Sequence, residues 1–224
     1  MDSIIIPAYN EELRIKSVIS NISEKFLGDE MIVVCDGIDD TKKIAESLAI
    51  KNPNIKVLNF SEKLGKGGAI TEGFKAAKGE KIGFVDADES ISPEDLKYMF
   101  DFSGNVDGVI ASRRLKTSKI LIEQPRKRRV ASRFFNIFVR SFFGLPFKDT
   151  QCGAKVFKRE AIYDILDEME TRGFEIDVEI LWRLKNKGYN VVEYPVTWKH
   201  SEGSKFRLTQ SRNMLLSLLK LRIK

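Results

Sequence analysis

Short apolar runs alternate along the chain with stretches in which apolar residues recur every three or four positions, the spacing of one face of a helix. Ser3 to Ile6 reads as a strand stopped by Pro7, after which Asn10-Glu11-Glu12 opens a helical pattern through Leu13, Val18, Ile19 and Ile22. Met31 to Cys35 repeats the unit, ending at Asp36-Gly37 before a helix with Ile44, Ala45 and Leu48. A third unit runs from a strand at Ile55 to Phe60, through Gly65-Lys66-Gly67-Gly68, into a helix with Ala69, Ile70, Phe74 and Ala77 that Gly79 closes. Ile82 to Val85 is the fourth strand, and Ser92-Pro93-Glu94 starts the next helix. Val109 to Ala111 is a fifth. Alternating strands and helices with short connections predict an α/β fold, a mainly parallel, Rossmann-like sheet with helices on both faces.

Beyond Ser112 the alternation breaks into a basic stretch containing Pro125, which sets a soft boundary there: a half over 1–112 and a second over 113–224, merged in one domain. Val130 to Phe143 is predicted as a helix with Ala131, Phe134, Phe135, Phe138, Val139 and Phe142 on one face and Arg129, Arg133, Asn136 and Arg140 on the other. A short strand at Lys155 to Phe157, helices over Ala161 to Met169 and Phe174 to Lys187, and a strand at Val191 to Val196 follow. The tail from Leu208 to Lys224 mixes leucines with Arg and Lys, the composition of an interfacial helix or an oligomer contact.

Charge sharpens the picture by its placement. The chain of 224 residues has 38 Lys and Arg against 32 Asp and Glu. Nine of those bases lie between Arg113 and Arg133, with Glu123 the single acid there, and five lie from Arg207 to Lys224 with none. Such blocks predict an anionic partner unless they are only the solvated faces of helices. Cys35 in a strand and Cys152 in a loop form no disulfide framework, and the opening residues lack a signal-peptide pattern, so a cytosolic chain is expected. The apolar runs fall far short of the roughly 20 residues that span a bilayer. If the protein meets a membrane, it is expected to lie on it.

The candidate chemistry gathers at strand ends. Asp86 and Asp88 follow directly on Val85, where ligands collect in open α/β sheets, and paired carboxylates are hard oxygen ligands suited to Mg²⁺ or Mn²⁺. Alone, Asp-x-Asp is also what a helix-capping turn looks like. The Gly-rich loop around Lys66 leaves room for phosphate.

These motifs succeed one another in a telling order: IIIPAYNEE at 4–12, VVCDG at 33–37, LGKGGAI at 64–70, FVDAD at 84–88, ASRR at 111–114, RRVASR at 128–133, DTQCGAK at 149–155, FEIDVE at 174–179 and EGSK at 202–205. The series, spread over nearly the whole chain, resembles the family 2 glycosyltransferases, most closely the branch that loads a sugar onto dolichyl or another polyprenyl phosphate. The resemblance implies the GT-A fold and an inverting hexosyltransferase using a nucleotide sugar at the cytoplasmic membrane face, peripherally bound, with no nucleic-acid partner. Pro7, Ala8, Tyr9, Asn10 and Glu11 would line the nucleotide site, Asp36 would take a base or ribose donor, and Lys66 would approach phosphate. Asp86 and Asp88 would hold the metal. Arg113 would face the donor phosphates, Arg128 and Ser132 the acceptor phosphate, and Ser204 and Lys205 would close over the phosphates. Asp177, or less simply Glu179, would orient the sugar or act as base, and Gln151 and Lys155 of DTQCGAK complete the site.

The chain departs from the pattern at Ile38-Asp39-Asp40, where the family often has Ser-Thr-Asp-Gly, and at Ser90, where the mannosyl branch usually has Gln. DTQCGAK and PVTW at 195–198 look more like the dolichyl-phosphate glucosyltransferases, which favours UDP-glucose over GDP-mannose. Two alternatives stand beside this reading: the same fold with a hydroxyl acceptor, and a non-catalytic basic binding protein.

Overall fold

The computed structural model describes residues 1–201 and 210–223. The first half delivers four strands, β1 (Ser3–Ala8), β2 (Glu30–Cys35), β3 (Ile55–Asn59) and β4 (Lys81–Val85), each followed by a helix: α1 (Ile15–Lys25), α2 (Thr41–Ala49), α3 (Gly65–Ala76) and α4 (Pro93–Phe102). Then come β5 (Gly108–Ser112), β6 (Lys119–Ile122), α5 (Arg126–Phe143), β7 (Ala154–Lys158), α6 (Arg159–Leu166), α7 (Ile176–Asn186), β8 (Val191–Pro195), β9 (Thr197–Lys199) and α8 (Gln210–Ile223).

Seven strands form one sheet in the order β3-β2-β1-β4-β7-β5-β8. All neighbours are parallel except β7, which runs antiparallel to both β4 and β5. The predicted mainly parallel sheet is therefore present, with one strand from beyond Ser112 wedged into its middle. Successive side chains of a strand point to opposite faces, and each face here has its own core. Ile4, Ile6 and Val33 join α1, α2 and α4 on one side. Ile5, Val34 and Phe84 join α3, α6 and α7 on the other.

Pro7 lies inside β1, opposite Val34, and does not end the strand. Its missing N–H costs nothing there, because β1 pairs with β4 only through Ser3, Ile4 and Ile5. Past that point the two strands part and leave a crevice at the position where strand order reverses.

Three further features differ from the sequence reading. Leu13 stands before α1 and is 93% exposed instead of packing on the core. The pair β6 and β9, parallel to one another in a sheet of their own, was not foreseen. On α5 the inward face carries Asn136, Val139 and Phe143, while Phe134 is 70% exposed. Residues one apart on a helix point about 100° away from each other, so Phe134 and Phe135 do not share a face, and Asn136 turns inward because its amide donates to Thr150 Oγ1 at 3.2 Å. In the tail, Leu218 and Leu221 of α8 pack into the second core, so the inner side of this helix is covered.

Candidate active site

Two cavities open at the carboxyl ends of the strands and meet over β4. The larger, about 1040 Å³, occupies the crevice between β1 and β4, the place where open α/β sheets bind ligands. Pro7, Ala8, Tyr9, Glu11, Asp36, Lys66, Asp86 and Asp88 line it. Asn10 does not. It adopts a left-handed backbone, φ 54°, and its Oδ1 accepts from the Ile38 N–H at 2.9 Å, which ties the loop after β1 to the loop after β2. Glu11 is buried and its carboxylate accepts from Arg14 Nε at 3.0 Å. Lys63, which drew no attention in the sequence, lies over the Tyr9 ring at 3.8 Å from its centre.

Asp36 has a structural duty as well as a place in the wall. Its Oδ2 accepts from the N–H groups of Leu64 at 2.9 Å and Gly65 at 3.0 Å, so the carboxylate at the end of β2 fixes the glycine loop at the start of α3. Burial raises its pKa against those two bonds. The next turn of that loop is held from the other side: Arg172 C=O accepts from Gly67 N–H at 2.9 Å. A Cβ on Gly67 would come within 2.4 Å of the Thr171 carbonyl oxygen, so the close approach requires glycine.

The smaller cavity, about 150 Å³, is lined by Arg128, Ser132, Gln151 and Asp177, by Arg113, which was expected to face the donor phosphates, and by Gln124, Phe174, Trp198 and His200, which were not anticipated. Lys66, Asp86, Asp88 and Phe174 line both cavities and mark where they join. Arg128 stands in the first turn of α5, and Arg114 donates to the Ser132 hydroxyl at 3.3 Å. Arg113 is held by Asp149, and its guanidinium lies 5.3 Å from the centre of the Trp198 ring.

Asp86 projects from the end of β4 beside Gly153, whose carbonyl accepts the Asp86 N–H at 2.8 Å. Lys66 Nζ reaches Asp86 Oδ1 at 2.9 Å and Asp177 Oδ2 at 3.1 Å. Asp177 also pairs with Lys155, a wholly buried lysine on β7 that donates to the Cys152 carbonyl at 2.9 Å. Burial drives the Asp86 carboxyl up to about 6, with Asp88 and Asp177 adding to the rise against Lys66. For Asp177 burial acts in the same upward direction, but Lys155 and Lys66 outweigh it and hold the carboxyl below its ordinary value. Asp88 Oδ1 accepts the Ser90 N–H at 3.0 Å, the local turn that sets its orientation.

Two more of the anticipated site residues, like Asn10, line neither cavity. Lys155 touches Asp177 from beneath and lines neither cavity. Glu179, two residues from Asp177 on α7, points away into the protein: its carboxylate accepts from the N–H of Glu170 at 3.0 Å and of Thr171 at 2.8 Å and pairs with Arg183. Its role is to hold the loop that brings Arg172 and Phe174 to the large cavity. Ser204 and Lys205 lie outside the described residues.

Asp86 and Asp88 fit a divalent cation. They are oxygen donors, and Asp86 already turns its carboxylate to a cation, the Lys66 ammonium. Among the described residues no three His, Cys, Asp or Glu side chains cluster as a cage. A hard ion held by one or two carboxylates, with its other ligands drawn from phosphate and water, is the usual manner of Mg²⁺.

Residues 3–166 match the family model described as glycosyl transferase family 2. The glycosyltransferase AglD of Haloferax volcanii is 34% identical over 217 residues, which cover 93% of this chain and 34% of AglD. A dolichyl-phosphate beta-glucosyltransferase of Dictyostelium discoideum is 31% identical over 221 residues, 91% of this chain and 68% of that protein. The chain thus spans about a third of AglD and two thirds of the Dictyostelium protein. Among solved structures, glucosyl-3-phosphoglycerate synthase from Mycobacterium tuberculosis, in complex with Mn²⁺, UDP-glucose and phosphoglyceric acid, superimposes with a TM-score of 0.73 at 20% identity. That likeness covers 99% of this chain and 79% of the synthase, and it shows the fold, GT-A.

Proposed function

The chain belongs to glycosyl transferase family 2, and from that premise we propose that it transfers a hexose from a nucleotide sugar to the phosphate of a polyprenyl lipid, with UDP-glucose as the favoured donor. The observation that carries the reading is the meeting, at Asp86, Asp88 and Lys66, of the crevice between β1 and β4 with a second cavity lined by Arg113 and Arg128. The nucleotide sugar lies in the large cavity between β1 and β4, and the acceptor phosphate enters the small one against Arg113, Arg128 and Ser132. The likeness to the Dictyostelium dolichyl-phosphate enzyme supports the lipid acceptor and the glucosyl donor.

The acceptor side bears on the choice between a phosphate and a hydroxyl. A hydroxyl must lose its proton as it attacks, which calls for a general base with an available lone pair. Asp177 is clasped by two ammonium groups, Lys66 and Lys155, which hold its carboxyl below its ordinary value and occupy the oxygens a proton would need. A phosphate monoester has a second pKa near 6 and arrives already ionised. What it needs is compensation of its charge, and arginine supplies that through charge-assisted hydrogen bonds. Its oxygen attacks the anomeric carbon from the face opposite the diphosphate in one inverting displacement, with Asp177 positioning Lys66. Asp86 and Asp88 would hold Mg²⁺ or Mn²⁺, which would supply charge neutralisation to the departing diphosphate.

A lipid acceptor places the reaction at a bilayer surface. No helix among the described residues is long and apolar enough to cross one. Instead, Ile120, Leu121 and Ile122 of β6 and Val130, Phe134 and Ile137 of α5 are exposed, the last three at helical spacing on one stripe. Lys119, Arg126, Lys127 and Arg133 are exposed on the same two elements. Apolar side chains beside basic ones suit the headgroup region of an anionic membrane, and we assign this surface to the cytoplasmic face.

The test offers radiolabelled UDP-glucose and GDP-mannose with dolichyl or undecaprenyl phosphate, with and without EDTA, and counts label extracted into organic solvent. Label from UDP-glucose in the organic phase, lost with EDTA, is expected. Label confined to the aqueous phase with every donor overturns the lipid assignment.

A further inference from the structure

Beneath the junction of the two cavities runs a chain of alternating charges. Lys155 donates to Asp177, Asp177 receives Lys66 at 3.1 Å, and Lys66 reaches Asp86 Oδ1 at 2.9 Å. Two ammonium groups face two carboxylates, so this chain is balanced before any ion is added. Buried charges are stable only when paired in this way. A divalent ion on Asp86 would therefore face a lysine ammonium on the same carboxylate, a like-charge contact in a site of low effective dielectric. A diphosphate removes the conflict, because it brings negative charge for both cations. Lys66 stands in the wall of the large cavity and so can meet it.

The geometry also shows what stays and what moves. Asp177 sits on α7 and is fixed by Lys155 from below, whereas Lys66 has a flexible four-carbon stem and holds Asp86 by its tip alone. We propose that Lys66 is the resident counter-ion of the cation site: it closes on Asp86 when no donor is bound and turns, about its contact with Asp177, onto a phosphate oxygen when donor and divalent ion arrive. Metal and nucleotide then enter as a pair, and by linkage each raises the affinity of the other equally. The inference rests on the assignment of Asp86 and Asp88 to the metal.

The test measures Mn²⁺ binding directly, from the free-ion signal in electron paramagnetic resonance, for the wild type, Lys66→Met and Lys66→Arg, each with and without UDP. Without UDP, Lys66→Met is expected to bind Mn²⁺ about tenfold or more tightly than the wild type, within the usual range of coupling between sites, while Lys66→Arg stays weak. Equal affinity of Lys66→Met and wild type, with the wild type still binding Mn²⁺ in UDP, overturns the resident counter-ion alone. No Mn²⁺ bound by the wild type even with UDP overturns the metal assignment and the inference with it. A measurement without variants reads the same motion: in wild-type crystals with UDP and Mg²⁺, Lys66 Nζ is expected beyond the roughly 4 Å limit of an ion pair with Asp86. A contact still closed with the ion in place overturns the proposal.

Discussion

Arg113 and Asp149 meet side by side, Nε to Oδ2 at 2.7 Å and a terminal NH₂ to Oδ1 at 2.8 Å, while the Arg113 backbone N–H also donates to Oδ2 at 3.0 Å. Burial opposes ionisation of Asp149, but Arg113 outweighs it and holds the carboxyl down to about 2. A carboxyl that is more acidic folded than unfolded stabilises the fold above its unfolded pKa and loses that contribution as pH falls toward the folded value. The pair is therefore expected to contribute about 2 kcal/mol at pH 7, fading between about pH 4 and pH 2. Urea midpoints of wild type and Asp149→Asn should differ most at neutral pH and draw together by roughly 1 kcal/mol at pH 3. A gap independent of pH would refute the assignment.

Gly153 leaves no room beside the Asp86 carboxylate, the proposed metal ligand. A Cβ built on it would stand 2.2 Å from Asp86 Oδ2, nearer than non-bonded atoms come. Gly153→Ala is expected to push that carboxylate aside while the fold survives, with kcat/KM falling about 10²-fold, as for a misplacement of roughly 1 Å. Kinetics and a thermal melt check the two halves separately.

Asp177 and Glu179 are expected to fail in different ways. Asp177→Asn leaves Lys155 buried without its carboxylate and should cost about 3–5 kcal/mol of stability. Whatever activity the variant keeps should retain the wild-type pH profile near neutrality, because no proton acceptor has been removed. A profile that loses its basic limb would argue for a hydroxyl acceptor. Glu179→Ala should cost at least about 1–3 kcal/mol by stranding the N–H groups of Glu170 and Thr171. Its loosened loop should show as a raised KM for the nucleotide sugar.

The exposed apolar stripe is expected to act only at lipid. Leu121→Asp combined with Phe134→Asp should abolish co-sedimentation with anionic vesicles, and the melting point should barely move, since both side chains are more than half exposed. Added salt should weaken wild-type binding by screening the bases nearby. Unchanged sedimentation of the double variant would remove this surface from the membrane.

The legible parts of the fold were those in which one residue type repeats. β1, β2 and β4 are buried on both faces, so their apolar runs stood out. β6 stayed hidden because it is short, exposed throughout and paired only with β9. On α5 the phenylalanines were grouped by type, although the helical period separates Phe134 from its neighbour. Motif order brought Asp86, Lys66 and Arg113 together at the strand ends, but it carried no information on partners. Lys66 and Asp177 are 111 positions apart in the chain and meet only because α3 and α7 lie on the same face of the sheet. Glu179 was credited with chemistry for standing beside Asp177 in one motif, and helix geometry sends the two carboxylates different ways.

The wedge of β7 between β4 and β5 has one more effect. Residues 154–158 are laced on both edges to strands from the first half, so the floors of the proposed donor and acceptor cavities share a single stiff plank. Among the described residues one continuous sheet runs beneath both cavities. Their spacing is cast when the protein folds, which leaves side chains such as that of Lys66, and the loops at the rim, as the parts free to respond to arrival and departure.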